Sequence, residues 1–169
     1  SSGQAEWFDD SGRLSRIAYV GGDAIDVQYG VSEIRVQDAY GNELVVTTDA
    51  HGRVIEMTDP DGEIYRYAYN HDDNVQHVGF PDNTRVAGGN PFGEDNPYRT
   101  YHYEDAVDSR LVTGITDENG ERFQSVAYDA QGRAVTTGLG QHGPALKCAQ
   151  YADGAAHLLV YRWCQMCRA

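Results

Sequence analysis

The residues best suited to chemistry gather at the end of the chain. Its three cysteines are Cys148, Cys164 and Cys167, and Cys164-Gln165-Met166-Cys167 forms a Cys-Xaa-Xaa-Cys pair. With His157 they make up a Cys3His set, a four-ligand combination that tetrahedral zinc accepts. The same pair would suit a thiol redox couple. The plainer account, and the favoured one, is a tail with incidental thiols. Because every cysteine lies in this last stretch, the body of the protein is held together without disulfides.

Elsewhere the chemistry is sparser. Asp59, Asp61 and Glu63 alternate around a turn and offer oxygen ligands of the kind calcium takes. The spacing is not that of an EF-hand, and turn formation explains these carboxylates better. The six histidines are His51, His71, His77, His102, His142 and His157. None belongs to a His-Glu-Xaa-Xaa-His motif, and neither a nucleophile elbow nor a phosphate-binding glycine loop is present. Paired carboxylates are plentiful, but all sit in turns, so none stands out for acid/base work. No catalytic residue and no cofactor is therefore expected. The remaining candidate surface is aromatic: Tyr65, Tyr67, Tyr69, Tyr101 and Tyr103 would stack on sugar rings through apolar faces with polar rims. A cross-strand aromatic ladder, worth about 0.2–1 kcal/mol per pair, accounts for the same residues and is preferred.

The net charge of −13, from 26 acidic and 13 basic residues, disfavours nucleic acid and anionic membranes as partners. No apolar run approaches the ~20 residues of a membrane-spanning helix. The opening Ser1-Ser2-Gly3-Gln4 has no signal-peptide character and no initiating Met, which suggests a processed chain or a piece of a longer one.

What positions these side chains is a repeat. Gly12, Gly22, Gly30, Gly41, Gly52 and Gly62, and later Gly120, Gly132, Gly143 and Gly154, are spaced mostly 10 to 12 residues apart, the turn spacing of an all-β protein. An acidic residue often stands three before the glycine, as in Asp49-Ala50-His51-Gly52 and Asp129-Ala130-Gln131-Gly132. Asp at the first position of a type I turn and Gly at the fourth give a three-residue hairpin with a bulge. Two rungs lack glycine and carry Asp73 and Asn83, residue types that tolerate the left-handed region. About six residues lie between turns, a normal strand length. In Ile64-Tyr65-Arg66-Tyr67-Ala68-Tyr69 the tyrosines fall on one face and Arg66 and Ala68 on the other. The pattern predicts about fourteen strands, with no substantial helix; a short helix near 143–150 has only weak support.

Several segments resemble RHS/YD repeats. They are Tyr69-Asn70-His71-Asp72-Asp73-Asn74-Val75, Tyr128-Asp129-Ala130-Gln131-Gly132-Arg133 and Thr58-Asp59-Pro60-Asp61-Gly62, with Phe80-Pro81-Asp82-Asn83-Thr84 similar to the segment between repeats. Tyr101-His102-Tyr103-Glu104-Asp105 followed by Thr113-Gly114-Ile115-Thr116-Asp117-Glu118-Asn119-Gly120 resembles another recurring stretch. The likeness covers roughly residues 8 to 135.

The resemblance implies a β-sheet strip that coils into a hollow shell. It implies a secreted or surface-displayed bacterial protein, such as a polymorphic toxin or a cocoon component of an insecticidal toxin complex. The partners implied are the rest of the shell, an enclosed toxin and, for some members, carbohydrate. The family's self-cleavage motif, Asp-Pro-Xaa-Gly-Leu after the repeats, is missing. A closed shell also takes many more repeats than the roughly thirteen turns here. Encapsulation and autoproteolysis are therefore not carried over residue by residue.

The expected organisation is an all-β array of tandem antiparallel hairpins over 1–144. Residues 86–99, dense in Gly, Pro and Asn, are read as an inserted loop. Residues 145–169 form a divergent segment that supplies the last strand or strands. The expected role is structural and non-catalytic. Carbohydrate binding through the tyrosine faces, or a metal- or thiol-dependent effector at the Cys/His cluster, are the alternatives.

Overall fold

Seven hairpin turns among the described residues are each built around one carboxylate or carboxamide. In the computed structural model the turn at residues 49–53 shows the pattern. The Asp49 amide donates to the Arg53 carbonyl at 2.9 Å, and the Gly52 amide donates back to the Asp49 carbonyl at 3.0 Å. Oδ1 of Asp49 accepts the amides of His51 and Arg53 at 2.8 and 3.0 Å, and Oδ2 accepts Nε of Arg53 at 2.8 Å. One side chain thus satisfies two amides that no strand partner reaches. The same bonds recur from Asp9, Asp38, Asp59, Asp117 and Asp129, and from Asn70. Gly52 closes its turn at φ 79°, a region a side chain makes costly.

Asp73 occupies the glycine slot at φ 62°, the one positive-φ residue other than glycine among the described residues. This is the substitution expected from the sequence. Asp73→Gly is accordingly expected to stabilise the turn by roughly 0.5–1 kcal/mol, measured as a higher urea midpoint at unchanged slope. A lower midpoint would show that the Asp73 side chain contributes more than its strained backbone costs.

The structure describes residues 3–81, 92 and 96–140, together with the strand paths 145–152 and 155–159. Within them fourteen strands run in order: β1 Gln4–Phe8, β2 Leu14–Tyr19, β3 Ala24–Tyr29, β4 Glu33–Asp38, β5 Glu43–Thr48, β6 Val54–Thr58, β7 Ile64–Tyr69, β8 Val75–Gly79, β9 Tyr98–His102, β10 Gly114–Thr116, β11 Arg122–Tyr128, β12 Ala134–Gly138, β13 Ala145–Ala152 and β14 Ala155–Leu159. The all-β hairpin array read from the sequence is the fold observed. The stretch near 143–150, weakly read as a helix, is strand from Ala145 onward. The turns expected at Asn83, Gly143 and Gly154 and most of 86–99 lie outside the described residues.

The chain divides into two units, Ser1–Tyr67 and Ala68–Ala169, with the boundary inside β7. In the first, β1 to β7 pair antiparallel in sequence order. Register sorts their side chains by face. One face carries Ile17 opposite Ile25, then Val27, Val36 and Leu44 in a row, then Tyr29, Ile34, Val46, Met57 and Tyr65 in a second row. The other face carries charge: Arg16 pairs with Asp26 at 2.8 Å, Arg35 with Glu33 and Glu43 at 2.6 and 2.7 Å, and Arg66 with Glu56 at 3.1 Å. These partly exposed pairs add little stability. Their value is in register, because a one-residue slip would turn every apolar row outward and every ion pair inward.

In the second unit β8 to β12 pair in the same way, as do β12 to β14. The β9–β10 connection is longer than the single turn expected around 104–109. It runs from 103 to 113 and is fastened at both ends. The Tyr103 hydroxyl donates to the Val75 carbonyl and the Tyr128 hydroxyl to the Val112 carbonyl, each at 2.7 Å. Strand β9 also starts at Tyr98, before the Thr100 expected from the sequence, because Tyr98 and Arg99 pair with Gly79 and Val78.

Candidate functional site

A layered domain hides its apolar face against a second layer. In this chain Ala24 is the one buried hydrophobic residue among the described residues, at 7% exposure. Every member of the two apolar rows on β3 to β7 is only half-buried. Taken by itself, the first unit is a sheet with a charged face and a half-buried apolar face. That apolar face is a candidate binding surface.

The tyrosines singled out in the sequence fall into this scheme. Tyr65 stands opposite Met57 and extends the second apolar row, and Tyr67 shares its face by strand alternation. Tyr69 ends β7. In the second unit Tyr101 stands opposite Ile115, while Tyr103 has its hydroxyl engaged by Val75, and burial pushes that hydroxyl's pKa up. The structure thus places Tyr65 and Tyr101 each in a cross-strand row.

The Cys/His cluster is described only in part. Cys148 is on β13 opposite Leu159, and His157 is on β14 opposite Gln150, two positions from Cys148. Cys164 and Cys167 lie outside the described residues. Among those described, no group of three or more His, Cys, Asp or Glu side chains is arranged to hold a metal ion. Asp59 is engaged by the amides of Asp61 and Glu63 at 3.0 and 2.9 Å, as the turn explanation requires.

Two features of the second unit have no counterpart in the sequence reading. A cavity of about 380 Å³ lies between the 105–111 loop and the 129–132 turn. Its carboxylates are already held: Asp105 by the amides of Val107 and Asp108, Asp108 by Arg110, and Asp129 by Arg133. The Arg110 fork keeps the Asp108 carboxyl down at about 2. The other feature is a polar patch on β8 to β10, where His77 Nδ1 lies 3.1 Å from the Thr100 hydroxyl and His102 Nε2 lies 2.6 Å from the Thr116 hydroxyl. The signal that would have found it is the placement of each histidine on its strand relative to threonines 23 and 14 residues away. Such pairings need the register, which no local pattern supplies.

A succession of antiparallel hairpins of this kind defines an all-β hairpin-repeat fold. Residues 49–85 match the family model described as RHS Repeat. The match lies within the stretch over which the sequence resembles RHS/YD repeats. No curated protein sequence matches the chain significantly. Among solved structures the chain is similar to TcdB2-TccC3-TEV, at TM-score 0.51 and 15% identity over 88% of this chain and 8% of that one. It is similar at TM-score 0.43 and 14% identity to TcdB2-TccC3, over 90% of this chain and 9% of that one. A porin-like protein from Bacteroides uniformis ATCC 8492 follows at TM-score 0.33 and 10% identity, over 92% of this chain and 86% of that one. Of these three, the first alone is close enough to argue from, and at its identity it speaks for the fold. The chain spans less than a tenth of the length of the first two.

Among the described residues no helix is long and apolar enough to cross a membrane, which leaves strand-built spans unaddressed.

Proposed function

We propose that this chain is a non-catalytic wall segment of an RHS-type shell, with its open apolar face turned toward a polypeptide held inside. The observation that carries the reading is the pairing of a charged face with a half-buried apolar face on a single layer. A wall between solvent and an enclosed chain needs that asymmetry, because apolar area left in water costs about 25 cal/mol per Å². The RHS match over 49–85 and the shared fold support it. The partners on this reading are the neighbouring shell repeats and the enclosed toxin, and the assembly is secreted or displayed on a bacterial surface.

The test uses the complete reading frame that contains these repeats. Limited proteolysis is expected to leave an enclosed polypeptide intact. Val36→Lys with Val46→Lys, which puts two charges into the apolar rows, is expected to expose it to cleavage at least several-fold faster while the repeat strip stays folded by circular dichroism. Equal cleavage of the enclosed segment with and without the substitutions would remove the apolar face from the function. Catalytic turnover by the repeat strip alone would remove the structural reading altogether.

A further inference from the structure

The polar patch on β8 to β10 sets two histidines beside two threonines. Thr100 stands between His77 on β8 and Thr116 on β10. The two imidazoles therefore flank a pair of threonine hydroxyls on one sheet face. Phe92 and Tyr98 close around His77, with ring centroids 5.6 and 5.4 Å away. His102 stands opposite Gly114. The Arg122 guanidinium lies over that glycine, where a Cβ would collide with it. Arg122 donates to Glu104 at 3.0 and 2.9 Å and to the Thr113 carbonyl at 3.0 Å.

Among the described residues the charges around His102 are few. Strand β8 brings His77, β10 brings only Gly114 and Thr116, and β11 brings Arg122. On its own side stands Glu104, 4.0 Å from Nδ1 and already bound to Arg122. The Arg122–Glu104 pair cancels its own charge, and burial favours the uncharged form of both imidazoles.

We propose that this patch is an acid-sensitive joint: protonating His102 and its neighbour His77 adds two positive charges beside Arg122 on a half-buried face, and β8 to β10 open locally. Burial lowers the affinity of both imidazoles for a proton; Arg122 lowers that of His102 further while Glu104 partly restores it, and His102 lowers that of His77. Each histidine is thus neutral in the fold and titrates at about 6.5 once unfolded. Its contribution to stability is present above about pH 6.5 and is lost as pH falls through the lower folded value. Opening is local because the strain falls on three strands, and free energies of local opening lie below that of global unfolding. The proposal concerns the chain itself and does not depend on the shell reading.

Native-state hydrogen exchange on the whole chain, corrected for intrinsic exchange, tests it at about pH 7.5 and about pH 5. The Thr113 and Thr116 amides are expected to open several-fold more at the lower pH, while amides of β4 to β6 do not change. His102→Gln with His77→Gln keeps polar partners for both threonines and removes the titrating groups, so the rise is expected to vanish. A rise that persists in that variant overturns the proposal, as does no rise in the unsubstituted chain. An imidazole NMR titration of the unsubstituted chain is an independent test: a His102 midpoint below 6.5 supports the joint, and one at or above 6.5 refutes it.

Discussion

Gly114→Val is expected to destabilise the second unit by roughly 2–3 kcal/mol, the cost of overfilling a packed site and displacing charged hydrogen bonds. Gly114 on β10 is buried. What covers it is Arg122, whose side chain is only 14% exposed. A Cβ at 114 would run into the Nη2, Nε and Cζ atoms of that guanidinium. The backbone at 114 is not in the left-handed region, so valine fits the strand itself and the cost comes entirely from the arginine. To make room Arg122 must leave Glu104 and the Thr113 carbonyl. The measurement is a double-mutant cycle by urea unfolding. In an Arg122→Ala background the collision is gone, and Gly114→Val is expected to be neutral or mildly stabilising, since a β-branched residue suits a strand better than glycine. An equal loss in both backgrounds would sink this account of why position 114 is glycine.

Such dependencies mark the limit of what the sequence discloses. The turns were legible because their chemistry is local: Asp49 reaches only to residues 51 and 53, so the Asp-to-Gly spacing carries the whole motif. Asp73 was legible for the same reason, since few side chains tolerate the conformation that the rung demands. The alternation of Tyr65, Arg66 and Tyr67 was enough to assign faces. Three features of the connections were not legible in the same way.

At Gly30 the hairpin is tighter than the glycine spacing implied. Its amide donates to the Glu33 carbonyl at 2.7 Å around Val31 and Ser32, and the pairing of Tyr29 with Ile34 sets that length. At Tyr19 the three-residue turn forms without a carboxylate, with Tyr19 bonded to Asp23 and Gly22 bonded back to Tyr19. The β9–β10 connection is held open by tyrosine hydroxyls reaching carbonyls 28 and 16 residues away. The candidate surfaces divide in the same way. The apolar face follows from period-2 alternation, whereas the His–Thr patch exists only once β8, β9 and β10 are in register.

The turn carboxylates predict a second acid response, at lower pH than the histidine joint and spread along the whole ladder. Asp9, Asp38, Asp49, Asp117 and Asp129 are all held below the ordinary aspartate value. At Asp9 and Asp117 the amide four residues on is the largest cause, and at Asp38 and Asp129 it is the side chain of Asn42 or Arg133. At Asp49 burial pushes the other way and the bonds from Arg53 outweigh it. The sign follows from linkage: a carboxyl depressed in the fold contributes stability above its unfolded value of about 3.9, lost as pH falls through the folded one. Unfolding followed by circular dichroism at a fixed, moderate urea concentration is therefore expected to show a steep loss of structure below about pH 4. Because these bonds are short and directional, added salt is expected to move that transition only slightly.

The Asn70 turn supplies the control within the molecule. Its Oδ1 accepts the amides of Asp72 and Asn74 at 3.0 and 2.9 Å without a titrating group. Asp49→Asn with Asp129→Asn should copy it. Neutral-pH stability is expected to fall, since Arg53 and Arg133 lose charged partners, while the drop between about pH 5 and about pH 2 becomes shallower. A double variant whose acid loss is as large as the parent's would show that the turn carboxylates do not set the acid limit of the ladder. In that case the acid response would have to come from side chains on the strands.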